Sequence, residues 1–138
     1  MHKSKEKSFD YKNVNSSALA FLGDCVFDMI IRLKLVCSSD FQSDNLHKLA
    51  TKEVCCQAQA NFFEKISKNL TKEEMNVYKR GRNFHVTNIP KNATSCQYHS
   101  ATGLECLFGY LLLKQDKERL INLFSIAYKI SEEILNIF

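Results

Sequence analysis

The fold turns on ALAFLGDCVFDMII, residues 18–31. Almost every position in it is apolar, as a helix at the centre of a core requires. Asp24 nevertheless stands in the middle, with Gly23 beside it. An ionised carboxylate taken out of water is costly unless something pairs with it. A glycine inside a helix costs roughly 1 kcal/mol relative to alanine. A helix that carries both at adjacent positions needs a neighbour too close for a side chain and a counter-charge for the acid.

The same pattern recurs in SATGLECLFGYLLL, residues 100–113, where Glu105 interrupts an apolar helix between Gly103 and Gly109. Glycines there suggest tight contact between the helices that carry the acids. If those helices pack together, Asp24 and Glu105 converge, and two converging carboxylates repel unless a cation lies between them. Oxygen-only ligands favour Mg²⁺ or Mn²⁺ over zinc. A salt bridge or a helix-end contact is the alternative for either acid alone. Asp28, one turn after Asp24, has two readings of equal weight: a further acid of the site, or an ordinary i,i+4 ion pair with Arg32.

At 138 residues the chain is long enough for one domain with a core of its own. It is 45% hydrophobic and 25% charged, with a formal net charge of +4, as in an ordinary soluble protein. The opening MHKSKEKSFDYKN has no apolar core, so no secretory signal is expected, and no apolar run approaches the ~20 residues that span a bilayer. A cytoplasmic protein is expected, with residues 1–14 a flexible basic tail and 15–138 the folded domain. The six cysteines form no CxxC pair and read as small buried hydrophobes in a reducing compartment.

Helical periodicity is strong and strand signals are weak, so the chain reads as all-α. The first helix starts near Asn15–Ser17 and runs to about Val36. A second is expected over residues 45–66, with Leu46, Leu49, Ala50, Val54, Ala58 and Phe62 at helical spacing. Thr71 and Glu74 form a capping box that opens a third helix, ending near Gly81. The irregular GRNFHVTNIPKNA, residues 81–93, follows, with Pro90 barring helix. Thr94 and Gln97 form a second capping box for a helix through about Lys114. The last helix begins near Asp116, with Leu120, Leu123, Phe124, Ala127, Ile130 and Ile134 on one face.

From Met75 through Leu104 there is no Asp or Glu, while Lys79, Arg80, Arg82 and Lys91 fall in that window with His85 and His99. Cations without balancing acids suit a polyanion, and a solvated positive face is the plainer alternative. Beside a carboxylate–metal site, the substrate this implies is a phosphodiester, hydrolysed with metal assistance.

LAFLGDCVFD resembles the signature of the ribonuclease III family, E-F-L-G-D-A, and GLECLFGYLLL resembles that family's E-A-x-x-G-x-x-x-L motif. The resemblance is closer still to the family's short bacterial branch, Mini-ribonuclease III. Its L-A-[FY]-x-G-D, L-H-K-x-A, R-G-R-N, P-K-N and Y-x-x-[SA]-T-x-x-E-A-L-x-G-Y segments match Leu19–Asp24, Leu46–Ala50, Arg80–Asn83, Pro90–Asn92 and Tyr98–Tyr110, in that order. Together they cover most of the chain, from about Asn15 to Leu120.

This resemblance implies an all-helical endonuclease domain, a homodimer that cleaves double-stranded RNA with Mg²⁺, or Mn²⁺ in its place. Asp24 and Glu105 match the acids that hold the catalytic metal. Phe21 matches the aromatic that packs across the dimer interface, a core phenylalanine being the alternative. Lys48, Lys79, Arg80, Arg82, Lys91 and Asn92 become candidate RNA contacts, and His47 reads as structural. The implied substrate is the stem of the 23S ribosomal RNA precursor, with a presenting protein partner left open.

The family's longer members place four acids in the site; Ala20 and Thr102 occupy two of those positions here, as in the short branch, which bears on whether a second metal is fully liganded. Cys25 and Cys106 stand where Ala is usual. No separate duplex-binding domain is expected, so the domain would bind RNA by shape and phosphates, with affinity that falls steeply with salt. Two other classes compete: a non-catalytic RNA-binding module of the same fold, which would gain nothing from two acids facing phosphates, and a helical protein–protein adaptor, which predicts neither the acid pair nor the acid-free basic window.

Overall fold

The structure, a computed structural model, describes residues 10–38, 43–84, 94–128 and 130–138. Among these, the chain is helical with no strand, as the periodicity predicts. A short 3₁₀ turn at Tyr11–Asn13 precedes α1 (Ser16–Ser38), α2 (Ser43–Val54) and α3 (Cys56–Ile66). A second 3₁₀ turn, Ser67–Asn69, leads to α4 (Lys72–Arg82). Then come α5 (Ser95–Leu113), α6 (Lys117–Ala127) and the single turn α7 (Glu132–Leu135).

The helix starts follow from local chemistry. The Asn15 side chain accepts from the Ala18 N–H at 2.8 Å and opens α1. Both expected capping boxes are formed: Thr71 with Glu74 at α4, and Thr94 with Gln97 at α5. Asp116 accepts from the Arg119 N–H and starts α6. Between α5 and α6, Gln115 sits at φ 62°, in the left-handed region that favours glycine. The Gln115 N–H bonds to the Leu112 carbonyl and the Asp116 N–H to that of Leu111, so the end of α5 has its carbonyls satisfied despite the missing glycine.

Helix α5 is the axis of the bundle. Ala101–Leu104 and Cys106–Leu111 are all buried, because α1, α3, α4 and α6 pack around it. Phe27, Phe62, Phe108 and Phe124 meet in the centre, with ring centroids 4.9–5.8 Å apart.

Three expectations need correction. The helix expected over 45–66 is two helices, since Cys55 adopts extended backbone (φ −67°, ψ 162°) and the chain restarts at Cys56. The last helix ends at Ala127, because Tyr128 is extended (φ −128°, ψ 146°); Ile130 is buried from outside a helix, and Ile134 belongs to α7. Of the six cysteines, all free thiols, only Cys106 is buried; Cys25, Cys37, Cys55 and Cys96 are exposed and Cys56 is half-buried. Residues 1–9 of the expected tail lie outside the described residues. Tyr11, within it, packs edge-on against Tyr110 at 5.5 Å. No helix of the described residues is long and apolar enough to cross a membrane.

Candidate active site

Helices α1 and α5 share the most extensive packing in the chain, and their glycines set how closely they approach. A Cβ on Gly23 would fall 1.7 Å from the Glu105 carbonyl oxygen, and one on Gly109 would fall 2.1 Å from the Leu19 carbonyl oxygen. Backbone therefore rests on backbone at two points. Gly23 lies four residues after Leu19, and Gly109 four after Glu105, so the helices cross antiparallel with the contacts one turn apart. The neighbour that the Gly23 position requires is thus α5 of the same chain. Glu105 is the residue that Gly23 touches, and Asp24 is the next residue on α1.

The convergence is visible electrostatically. Burial, and after it the charge of Asp24, push the Glu105 carboxyl up to about 7. Burial and the charge of Asp28 raise Asp24 above its ordinary value. Among the described residues, neither Asp24 nor Glu105 forms an ion pair. Asp28 does, with Arg32 at 2.8 Å.

Glu105 accepts a hydrogen bond from the Gln59 amide at 3.2 Å, which opposes its upward shift. Sequence reasoning missed Gln59. Its signal was a polar residue on the buried stripe of α3, in step with Phe62 and Ile66. Cys56 and Tyr98 also sense the acid: burial first, and then the Glu105 charge, raise both the thiol and the phenol. Beside Glu105 lies a recess of about 190 Å³ bounded by Ser17, Ala20, Phe84, Tyr98 and Thr102. The Thr102 hydroxyl is engaged within α5, donating to the Tyr98 carbonyl at 3.0 Å.

The two acids offer oxygen donors, repel one another and have no basic partner among the described residues. That donor set suits a hard divalent cation that keeps several waters, as Mg²⁺ does when held by one or two carboxylates and a substrate phosphate. Among the described residues no group of three or more His, Cys, Asp or Glu converges.

The other candidates lie outside this pair. Lys79, Arg80 and Arg82 are exposed in the last turn of α4, where positive charge also complements the helix dipole. The Arg82 guanidinium lies 5.9 Å from the Tyr78 ring centroid. Lys48 is exposed on α2, next to His47, which lines an apolar recess with Arg32, Leu35, Val36, Leu46 and Ala50. Lys91 and Asn92 lie outside the described residues. Phe21 is 79% exposed on α1, so within this chain it is not a core residue.

An acid pair at a glycine-mediated helix crossing, in an all-helical bundle, defines a class that comparison with known proteins makes specific. Residues 17–116 match the Ribonuclease III domain family. The chain is 42% identical over 122 residues to Mini-ribonuclease 3 of Enterococcus faecalis, spanning 87% of this chain and 92% of that one. It is 37% identical over 125 residues to Mini-ribonuclease 3 of Clostridium tetani, spanning 90% and 83%. A crystal structure of a protein from Fusobacterium nucleatum superposes with a TM-score of 0.73 at 26% identity, covering 93% of each chain. The chain belongs to the Mini-ribonuclease 3 branch of the ribonuclease III family. Membership places it among the endoribonucleases, hydrolases of RNA.

Proposed function

We propose that this chain cleaves double-stranded RNA by hydrolysis, using a Mg²⁺ ion held by Asp24 and Glu105, with Mn²⁺ able to replace it. The observation that carries the reading is the meeting, at the α1–α5 crossing, of two carboxylates that have no ion-pair partner among the described residues. A bound divalent cation would polarise the scissile phosphate and supply a hydroxide at neutral pH. Asp24 and Glu105 hold the cation on two helices whose approach is fixed by backbone contact, so its position is rigid relative to the bundle. Lys48, Lys79, Arg80 and Arg82 neutralise phosphates on either side, and Lys91 and Asn92 extend that contact. RNA would be recognised by duplex shape. Phe21, exposed on a single chain, is covered in this reading by a second copy, giving a homodimer with one site for each strand. The cellular setting is the cytoplasm and the substrate the stem of the 23S ribosomal RNA precursor.

The test is a denaturing gel of long double-stranded RNA incubated with the protein. Cleavage is expected with Mg²⁺ and not with EDTA. Asp24→Asn should lower it about 100-fold or more, the rate equivalent of the several kcal/mol a metal contributes to the transition state. RNA that is retarded on a native gel but never cut would establish a binding module in place of a nuclease.

A further inference from the structure

We propose that Gln59 is a positioning residue of this site, its side-chain amide fixing the orientation in which Glu105 meets a divalent cation; the inference rests on the metal reading above. Gln59 is only 3% exposed, and a buried amide is costly unless its hydrogen-bonding groups are used. Its Nε2 donates twice, to the Val54 carbonyl at 3.1 Å and to the Glu105 carboxylate at 3.2 Å. An amide NH₂ has two protons, so both are committed and the group cannot turn freely.

The Val54 carbonyl is available because of the break at Cys55. In a continuous helix it would accept from the N–H four residues on. With Cys55 extended, the side chain of Gln59 takes that place. One amide therefore ties the end of α2 to the acid on α5, and the break between α2 and α3 gains a purpose. Among the described residues, Gln59 Oε1 is buried without a partner. Methionine or leucine would fill a similar volume without that cost, so packing alone does not account for glutamine here. A hydrogen bond to a metal-binding carboxylate does, because partners of this kind orient the ligand and tune its affinity.

Gln59→Met keeps the length of the side chain and removes both donors. The probe is Mn²⁺ alone, its free fraction read by electron paramagnetic resonance against the full chain without RNA. Gln59→Met is expected to weaken Mn²⁺ binding about 10- to 100-fold. Its thermal unfolding should stay cooperative, and retention of duplex RNA in EDTA should stay unchanged, neither of which a loss of general structure would permit. In the unaltered protein, Mg²⁺ should shift the Gln59 side-chain amide resonances, and Glu105→Gln should abolish that shift. This second measurement decides the matter if Gln59→Met does not fold.

Gln59→Met that binds Mn²⁺ as tightly as the unaltered chain overturns the proposal. So does a Mg²⁺ titration that moves the Glu105 backbone resonances and leaves the Gln59 amide still. Unaltered protein that binds no Mn²⁺ overturns the metal reading itself and this inference with it, an outcome distinct from the other two.

Discussion

Two glutamates, Glu74 and Glu105, are taken out of water in this small bundle and meet opposite fates. Glu74 is buried at the start of α4. It accepts from the Thr71 N–H at 2.8 Å and from Arg119, whose Nε and Nη2 reach its two oxygens at 2.8 Å each. Burial alone would raise its pKa, but the hydrogen bonds from Arg119 and Thr71 outweigh burial and hold it below the ordinary value. Glu105, half-buried, has a neutral amide and a second carboxylate for company, and its pKa rises to about 7. The first acid is complete and serves the fold. The second meets no counter-charge among the described residues, which is why we propose a cation for it.

The contrast is sharpest if each acid is removed. Glu74→Ala takes from Arg119 its ion-pair partner and from α4 its capping box. The expected cost is about 3 kcal/mol or more, measured by urea denaturation, while cleavage per folded molecule is unchanged. A cost under about 1 kcal/mol would show that solvent screens the pair and that the two acids are less different than their surroundings suggest.

Removing Glu105 should act in the other direction. Its folded pKa lies above the ordinary 4.5, so it contributes most to stability at low pH and that contribution is lost as pH rises toward about 7. For Glu74 the folded pKa is lowered, so its contribution is present above the ordinary carboxylate range and is lost on acidification. Glu105→Gln, without metal, is therefore expected to be more stable than the unaltered chain by roughly 3 kcal/mol at pH 8 and close to it near pH 4. Thermal unfolding across that range in EDTA measures the difference. Parallel pH profiles for the two proteins would mean that Glu105 is not strained when empty. Adding Mg²⁺ at pH 8 should stabilise only the unaltered chain.

Much of this contrast was legible in the sequence, and what was missed has a common physical cause. Asp24 and Glu105 were visible because an acid beside glycine inside an apolar run violates local expectation twice. The caps at Thr71 and Thr94 were visible because a capping box is complete within four residues. Glu74 was seen only as part of its cap, since Arg119 stands 45 positions away and reaches it through the packing of α6. The break at Cys55 carries no Gly or Pro, and Val54–Gln57 is a plausible stretch of helix; tertiary contacts override that local preference. Gln59 was overlooked with it, because its importance exists only once α2, α3 and α5 are in place. Buried cysteines were expected from side-chain size, yet size does not decide which side of a helix faces solvent.

The smallest effect concerns Asp28, whose two readings the sequence left in balance. Its carboxylate lies 2.8 Å from the Arg32 guanidinium, one turn along α1, with both side chains substantially exposed. Such a pair contributes about 0.5 kcal/mol at most. Asp28→Asn should therefore leave stability within that margin, and removing a like charge should bring the Asp24 pKa down toward its ordinary value. Carbon-detected titration of the Asp24 carboxyl checks the shift, and the duplex-cleavage assay checks the consequence. If Asp28 is an ordinary surface partner of Arg32, cleavage at saturating Mg²⁺ stays within about threefold of the unaltered chain; a fall of about tenfold or more, in the range typical of groups that support a metal ligand, would move Asp28 from the side of Glu74, which serves the fold, to the side of Glu105.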